Sequence, residues 1–198
     1  TIPSDYKVDV FLMDDGSYDG TADVVKSFYP NINVLKGDGN LFWAGGMRQA
    51  WIAAIARGAY DYFLLINDDV ILKHDFLLNL LIANEYSYEI SHMGGIYSGV
   101  TVDSSGSRVT YGGSRVKNYL LILRFRKLFP SNAPQVCDIT NANVLLVSSD
   151  VVDKIGIFDH RFTHGIADYD YALQATKKKI PVFLAPGISG ACVHDHGN

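Results

Sequence analysis

The feature that most constrains this chain is a strand followed at once by an acidic turn, which occurs twice. Residues 8–13 are mostly apolar and rich in strand formers, and a turn cluster at residues 14–17 follows them. Residues 62–66 are apolar throughout, as expected for a strand buried on both faces, and Asn67, Asp68 and Asp69 end that run. Because helical patterns alternate with these strands, the sequence predicts an α/β fold with a mainly parallel central sheet and helices on both faces.

Other patterns predict the remaining elements. Apolar residues recur at helical spacing from Met47 to Gly58, and Gly58 can cap that helix. Thr21 is the expected N-cap of an earlier helix, and Ser149 that of a short helix ending at Gly156. The other predicted elements are a glycine-rich loop at 37–46, strands at 32–35, within 136–147 and at 180–184, helices at 75–86 and 168–179, and strands or hairpins within 93–116.

Length and composition fit one compact domain over residues 1–198. Apolar residues make up 48% and charged residues 19%, a balance that can bury a core. The net charge of −4 offers no basic field for a phosphate backbone, so nucleic acid is not an expected partner. Cys137 and Cys192 stand in no metal-ligand spacing, which predicts reduced, buried thiols.

No segment of the sequence predicts membrane insertion. No apolar run reaches the ~18 residues of a membrane span, and no basic-then-apolar signal opens the chain. We expect a cytoplasmic protein, either free or peripheral at the inner face of a membrane. The abrupt start and end of the sequence suggest an excised piece of a longer chain.

The two acidic turns form the candidate site. Ligands bind beyond the carboxyl ends of parallel strands, so both turns would emerge at one edge of the sheet. Convergent carboxylates predict a divalent cation, Mg²⁺ or Mn²⁺, held also by the oxygens of a phosphorylated, nucleotide-like substrate. The alternative is that Asp and Asn are simply good turn formers after strands, and for either turn alone the two interpretations are equally supported.

Several segments resemble family 2 glycosyltransferases of the GT-A fold. Residues 10–21 resemble the family's D-D-G-S-x-D-G-T signature, residues 46–50 its helix-opening A-R-N segment, and residues 65–69 its D-x-D strand end. Residues 156–162 are similar to its G-x-F-D-E-x-F stretch, and residues 167–173 to its E-D-x-D-L stretch. The resemblance covers nearly the whole chain, and the family's first strand, which precedes the signature, is expected to be lacking.

The resemblance implies a donor site. Asp14 and Asp15 would lie near the base and ribose of a UDP-, dTDP- or GDP-linked sugar, and Arg48 near the base or diphosphate. Asn67 and Asp68 would support the sugar-phosphate side. Asn67 departs from the family's D-x-D pattern, because a neutral amide stands where the family has an Asp.

The resemblance also implies metal-binding and catalytic residues. Asp69 would bind the metal, and Asp168 would be the general base that takes the proton of the acceptor hydroxyl. His194 or His196, in a His-x-His-Gly tail, would approach the metal or the diphosphate. Ala167 replaces the Glu that stands beside the base in the family, so the base assignment rests on Asp168 alone.

Two other residues are candidates for the acceptor or sugar. Trp43, in the glycine-rich stretch, could equally stack on a sugar ring or fill the core, and His164 could line the acceptor side. Trp51 lies on the apolar helix face and is expected in the core.

The main hypothesis is an inverting, metal-dependent sugar transfer from a nucleoside-diphosphate sugar to a hydroxyl of a glycan or lipid-linked acceptor, as in polysaccharide biosynthesis. A noncatalytic nucleotide-sugar or glycan-binding module is the alternative, motivated by Asn67 and Ala167. A sugar-1-phosphate nucleotidyltransferase is a weaker third hypothesis. It needs a glycine-rich loop with basic residues after an N-terminal strand, and the given sequence shows no such loop.

Overall fold

The computed structural model describes residues 2–119 and 122–192. The chain divides into two compact units. The first unit comprises residues 3–60 and 157–167, and the second comprises residues 1–2, 61–156 and 168–198.

The first unit alternates strands and helices, as the sequence predicts. Its elements are β1 (Phe11–Asp14), α1 (Thr21–Phe28), β2 (Asn33–Lys36) and α2 (Phe42–Arg57). β1 and β2 form a two-stranded parallel sheet in which Asp14 pairs with Lys36. α2 packs against β1, and a Cβ added at Gly46 would meet Cγ of Met13 at 3.5 Å, an ordinary van der Waals contact.

Two helices have their N-cap one residue before the predicted one, and the first of them is α1. The prediction of Thr21 as N-cap is wrong, because Gly20 holds that position with a left-handed φ of 80°. Thr21 instead donates its hydroxyl to Oδ1 of Asp19 at 2.6 Å. The predicted loop at 37–46 is shorter than expected, because α2 already begins at Phe42 and buries the last two glycines. Gly58 caps α2 as predicted.

The second unit contains the other fourteen elements of the described residues. They are β3 (Tyr62–Ile66), β4 (Ile71–Leu72), α3 (Phe76–Ser91), β5 (Ile96–Ser98), β6 (Thr101–Val102), β7 (Gly113–Tyr119), β8 (Ile122–Lys127), β9 (Gln135–Val136), β10 (Ile139–Thr140), β11 (Val144–Ser148), α4 (Ser149–Ile155), α5 (Ala167–Lys177), β12 (Val182–Leu184) and β13 (Gly190–Ala191). The N-cap of α4 is Ser148 rather than Ser149, and Gly156 closes that helix as predicted.

The main sheet of the second unit is mixed, which corrects the expectation of a mainly parallel one. Its strand order is β3-β11-β5-β12-β9. β11 runs antiparallel to both β3 and β5, and only β5 and β12 are parallel. β11 is buried along its whole length, and such a strand is apolar whether its neighbours run parallel or antiparallel to it. The apolar pattern therefore does not reveal strand direction.

The core of the second unit lies between α3 and the main sheet. Leu80 of α3 and Tyr97 of β5 are fully buried there, together with Val144 and Leu146 of β11 and Phe183 of β12. Two smaller three-stranded sheets, β10-β7-β8 and β4-β13-β6, complete the unit. Within residues 2–119 and 122–192, no helix is both long and apolar enough to cross a membrane.

Candidate active site

The first acidic turn holds one ionised carboxylate at the end of β1. Asp14 is only 8% exposed, and its Oδ1 accepts the backbone N–H of Ser17 at 2.8 Å. Hydrogen bonds from the hydroxyl and backbone of Ser17 lower the pKa of Asp14. Asp14 therefore presents a fixed negative charge and hydrogen-bond acceptor at neutral pH.

A cavity of about 250 Å³ opens beside this turn, within the first unit. Its lining residues are Asp14, Gly16, Ser17, Tyr18, Lys36, Gly37 and Asp38. The cavity thus combines two carboxylates, those of Asp14 and Asp38, with the ammonium group of Lys36 at the carboxyl ends of the two parallel strands, which is where α/β folds bind ligands.

Asp15 is engaged by the backbone of the following loop. Its Oδ1 accepts the N–H of Gly39 at 2.9 Å, and its Oδ2 accepts those of Leu41 at 2.8 Å and Phe42 at 3.2 Å. These amides lie at and before the N-terminus of α2, where a negative charge is favourable. A Cβ at Gly37 would overlap Oδ1 of Asp15, so the glycine makes room for the carboxylate. Asp15 thus orders the loop and the start of α2, while its predicted nucleotide contact stays a prediction.

Arg48 anchors a distant segment of the same unit. Its Nη1 donates to the carbonyl oxygens of Asp159 at 3.3 Å and Phe162 at 3.1 Å. The N–H groups of Ala44 and Gly45 both point at the carbonyl of Thr163, at 3.1 and 3.4 Å. The segment 157–167 is therefore tied to α2 by one side chain and two amides. The predicted contact of Arg48 with a base or diphosphate remains a prediction.

An aromatic cluster fills the space between α2 and that segment. The ring of Phe158 lies 5.7 Å from that of Trp43 and 5.5 Å, edge-on, from that of Trp51. Trp51 is 3% exposed, so its core position is confirmed. The packing of Trp43 favours the core interpretation over a sugar contact. His164 is exposed, with its ring 6.2 Å from that of Phe42.

The second acidic turn leaves β3 in the second unit. The N–H of Asn67 donates to the carbonyl of Asn143 at 3.1 Å, which continues the pairing of β3 with β11. Asp68 and Asp69 are exposed. Oδ2 of Asp69 accepts the thiol of Cys192 at 3.4 Å. Burial and the neighbouring Asp69 carboxylate raise the pKa of Cys192 to about 11, so the thiol keeps its proton and can donate it.

The predicted base lies at the start of α5 in the second unit. Asp168 is 7% exposed; its Oδ2 accepts the N–H of Ala142 at 3.0 Å and its Oδ1 accepts that of Tyr169 at 2.9 Å. Burial raises the pKa of Asp168 to about 6, against the lowering effect of these amides. The result is a carboxylate that is ionised at neutral pH and a stronger base than an exposed Asp.

A second cavity, of about 270 Å³, lies beside the Asp168 segment in the same unit. Its lining residues are Thr110, Tyr111, Gly112, Gly113, Ser114, Lys127, Asn141 and Tyr169. Asn141 connects two other lining residues through hydrogen bonds. Its Oδ1 accepts the N–H of Gly112 at 3.3 Å, and its Nδ2 donates to the Tyr169 hydroxyl at 3.4 Å. Burial raises the pKa of Tyr111, so its hydroxyl remains a donor.

Comparison with known proteins decides the family. The model of a family described as glycosyl transferase family 2 matches residues 4–141, which contain both acidic turns and end before Asp168. The chain belongs to glycosyl transferase family 2. The predicted membership of this family is therefore confirmed, while no curated protein matches the sequence.

Two solved structures resemble this family 2 chain. GalNAc-T7 with UDP, GalNAc and Mn²⁺ matches with a TM-score of 0.63 and 10% identity over 93% of this chain and 37% of that chain. The mannosyltransferase PcManGT from Pyrobaculum calidifontis with GDP-Man and Mn²⁺ matches with a TM-score of 0.62 and 13% identity over 96% of this chain and 49% of that chain. This chain thus spans less than half of either relative, and the likeness confirms the α/β, GT-A fold.

Two neighbouring carboxylates of the family 2 chain could hold a divalent cation. The part of the chain that the structure describes holds no group of three or more His, Cys, Asp and Glu side chains able to bind a metal ion. Asp68 and Asp69 nevertheless supply hard carboxylate oxygens, which suit an ion that binds one or two carboxylates and completes its shell with water and phosphate. The predicted ligands His194 and His196 lie outside the described residues.

The structure adds residues that the sequence patterns did not single out. Cys192 was expected only as a small buried group, yet it donates to Asp69. Asn141, Tyr111 and Tyr169 form the cavity beside Asp168. Asn and Tyr are common at strand ends and in loops without any function, so no local signal in the sequence could have identified these residues.

Proposed function

We propose that this chain transfers a sugar from a nucleoside-diphosphate sugar to a hydroxyl group of a glycan or lipid-linked acceptor, with inversion at the anomeric carbon. Asp168 carries the proposal. It is a buried carboxylate, held by two backbone amides and with its pKa raised to about 6, at the position where the family's motif has its base. Such a pKa combines ionisation at neutral pH with useful basicity.

The proposed reaction is a single displacement. The acceptor oxygen attacks the anomeric carbon while Asp168 takes its proton, and the bond from that carbon to the diphosphate oxygen breaks on the opposite face. Attack opposite the leaving group inverts the configuration, and the sugar gains oxocarbenium character on the way. The two amides that bind Asp168 hold its carboxylate in one orientation, which favours proton transfer from a positioned hydroxyl.

The cavity beside Asp14 supports binding of the nucleoside. Asp14 offers an ionised acceptor for N–H or O–H groups of a base or ribose, and Lys36 offers a positive charge for a phosphate. Asp69, with Asp68 beside it, would hold a divalent cation in the second unit. When bound, that cation would neutralise charge on the departing diphosphate.

The cavity beside Asp168 supports binding of the acceptor. The rings of Tyr111 and Tyr169 can pack on the apolar faces of a sugar, and Asn141 and Lys127 add polar groups. This lining suits a hydroxyl-rich acceptor such as a glycan, and we propose a role in polysaccharide biosynthesis.

Calorimetric titration tests the donor site. UDP, GDP and dTDP are titrated with and without Mn²⁺ or Mg²⁺ into the wild type, Asp69→Ala and Asp61→Ala. Asp61 precedes β3 at its opposite end and is exposed, so it is the matched control. We expect one nucleotide to bind in a metal-dependent manner and Asp69→Ala alone to lose that binding. Binding of no nucleotide, or equal binding by Asp69→Ala, would refute the donor assignment.

A transfer assay with the sugar form of that nucleotide tests the base. Asp168→Asn should lose transfer and keep nucleotide affinity, while Asp153→Asn, an exposed Asp on α4, should keep both. Normal turnover by Asp168→Asn would remove it from the base role. Metal-dependent nucleotide binding without any turnover by the wild type would favour the noncatalytic module, which the neutral Asn67 and the buried Ala167 also favour.

A further inference from the structure

The strands β7 and β8 carry an unusual arrangement of charge. They pair in antiparallel register, with Arg115 directly opposite Arg126 and Lys117 directly opposite Arg124. Like charges directly opposite each other destabilise a strand pair. Two such pairs in succession lower the stability of the hairpin, so their presence calls for a role outside folding.

All four cations lie on one side of the hairpin. Residues two apart along a strand share a face, and directly opposite residues share it too. Arg115, Lys117, Arg124 and Arg126 therefore form a two-by-two array, which we call the basic face. The residues between them, such as Val116 and its partner Phe125, lie on the other face.

Of the four cations of the basic face, only Arg115 forms an ion pair within the described residues. Nε of Arg115 lies 3.2 Å from Oδ2 of Asp138. Lys117, Arg124 and Arg126 are exposed, and no carboxylate of the described chain forms an ion pair with them. Residues 113–127 hold five Lys or Arg and no Asp or Glu, although the whole chain has a net charge of −4. The hairpin is thus strongly positive within a chain that is negative overall.

The position of β8 makes the basic face accessible. β8 is the edge strand of the sheet β10-β7-β8, so a flat surface can approach it from the side and touch residues of both faces. Phe125 is 62% exposed on β8, and Phe129 just beyond it is 64% exposed. A surface that approaches this edge meets the cations on one face of the hairpin and Phe125 on the other, and segments that lie at the surface of a membrane typically present both cations and exposed aromatic side chains.

We infer that the basic face docks on the surface of an anionic phospholipid bilayer. Clustered Lys and Arg side chains bind such surfaces electrostatically. Single-stranded nucleic acid is the competing polyanion, but it needs aromatic rings among the cations for base stacking, and Phe125 lies on the opposite face.

Vesicle co-sedimentation tests this inference without any donor or acceptor, so its outcome is separate from that of the transfer assay. The chain is mixed with phosphatidylcholine vesicles with or without phosphatidylserine, at low and high salt. The test variant is Lys117→Gln/Arg124→Gln/Arg126→Gln. The control variant is Lys26→Gln/Arg57→Gln/Lys177→Gln, which removes three exposed cations elsewhere and has the same net charge.

We expect binding only with phosphatidylserine, weakened by salt, and roughly a hundredfold weaker for the test variant, from about fivefold for each cation. The control should bind like the wild type. Removing opposed like charges should leave the melting temperature unchanged or raise it, which shows that the test variant folds.

Four results would overturn the inference. They are absence of binding to anionic vesicles, equal binding to vesicles without phosphatidylserine, equal loss in both variants, and displacement from vesicles by a single-stranded oligonucleotide that binds the basic face more tightly. The last result would identify nucleic acid as the partner.

Discussion

Asp168→Asn should change how stability depends on pH. Burial raises the pKa of Asp168 from 3.8 to about 6, so ionising this carboxyl in the folded protein is less favourable than in the unfolded chain. At about 1.36 kcal/mol for each pH unit, the rise corresponds to about 3 kcal/mol. Asn has no charge to bury, so the variant lacks this penalty at every pH.

The sign follows from proton binding. Between pH 4 and 6 the folded wild type binds more protons at Asp168 than the unfolded chain does, so its stability falls as the pH rises. The contribution of Asp168 is fully present below its unfolded pKa of 3.8 and is lost through about 6. The free energy of unfolding of the wild type minus that of Asp168→Asn should therefore decrease by about 2.5 kcal/mol from pH 4 to pH 8, since the unfolded carboxyl is already partly ionised at pH 4.

The difference also contains a part that does not depend on pH. Asn can accept only one of the two amide hydrogen bonds, from Ala142 and Tyr169, that the carboxylate accepts. That loss shifts the whole curve by a constant amount and leaves its slope unchanged. The slope is therefore the quantity that tests the burial argument.

Urea unfolding at several pH values between 4 and 8 measures it. Asp159→Asn is a control whose difference from the wild type should stay nearly constant over this pH range, because hydrogen bonds from Arg161 lower the pKa of Asp159 to about 2. The stability that Asp159 provides is present above its unfolded pKa of 3.8 and is lost as the pH falls through about 2. A difference for Asp168→Asn that is independent of pH, or that increases with pH, would refute the reasoning.

Three further substitutions have expected outcomes. Asp15→Ala removes the acceptor of three amides at the start of α2 and should cost about 1–2 kcal/mol, measured by urea unfolding; unchanged stability would contradict its role in ordering the loop. Gly95→Ala would place a Cβ 2.5 Å from the carbonyl oxygen of Pro181. The substitution should lower the free energy of unfolding by about 1–3 kcal/mol, and the melting temperature should fall with it. Arg48→Ala should expose the segment 157–167 to limited proteolysis, while Arg57→Ala, later in α2, should not; equal cleavage of both would show that the hydrogen bond to Asp159 does not anchor the segment.

Local patterns in the sequence were enough for several elements. β3 occupies Tyr62–Ile66 as predicted, and α2 ends at Gly58 as predicted. Burial, helical spacing and caps depend on neighbours within a few residues, so the sequence reports them directly. Family membership followed from short motifs in order, which also depend only on sequence.

The tertiary structure alone decided strand direction and the partners of the site residues. The direction of β11 depends on the path of the chain between strands, which the apolar pattern does not contain. The amides that bind Asp15 come from residues 24 to 27 positions away, and the amide that binds Asp168 through Oδ2 comes from a residue 26 positions away. The raised pKa of Asp168 likewise reflects burial by the folded chain. Local residue patterns therefore specify several of the elements and the family of the chain. Contacts between distant residues set the charge and orientation of the candidate site groups, because burial and hydrogen bonding exist only once those residues are brought together.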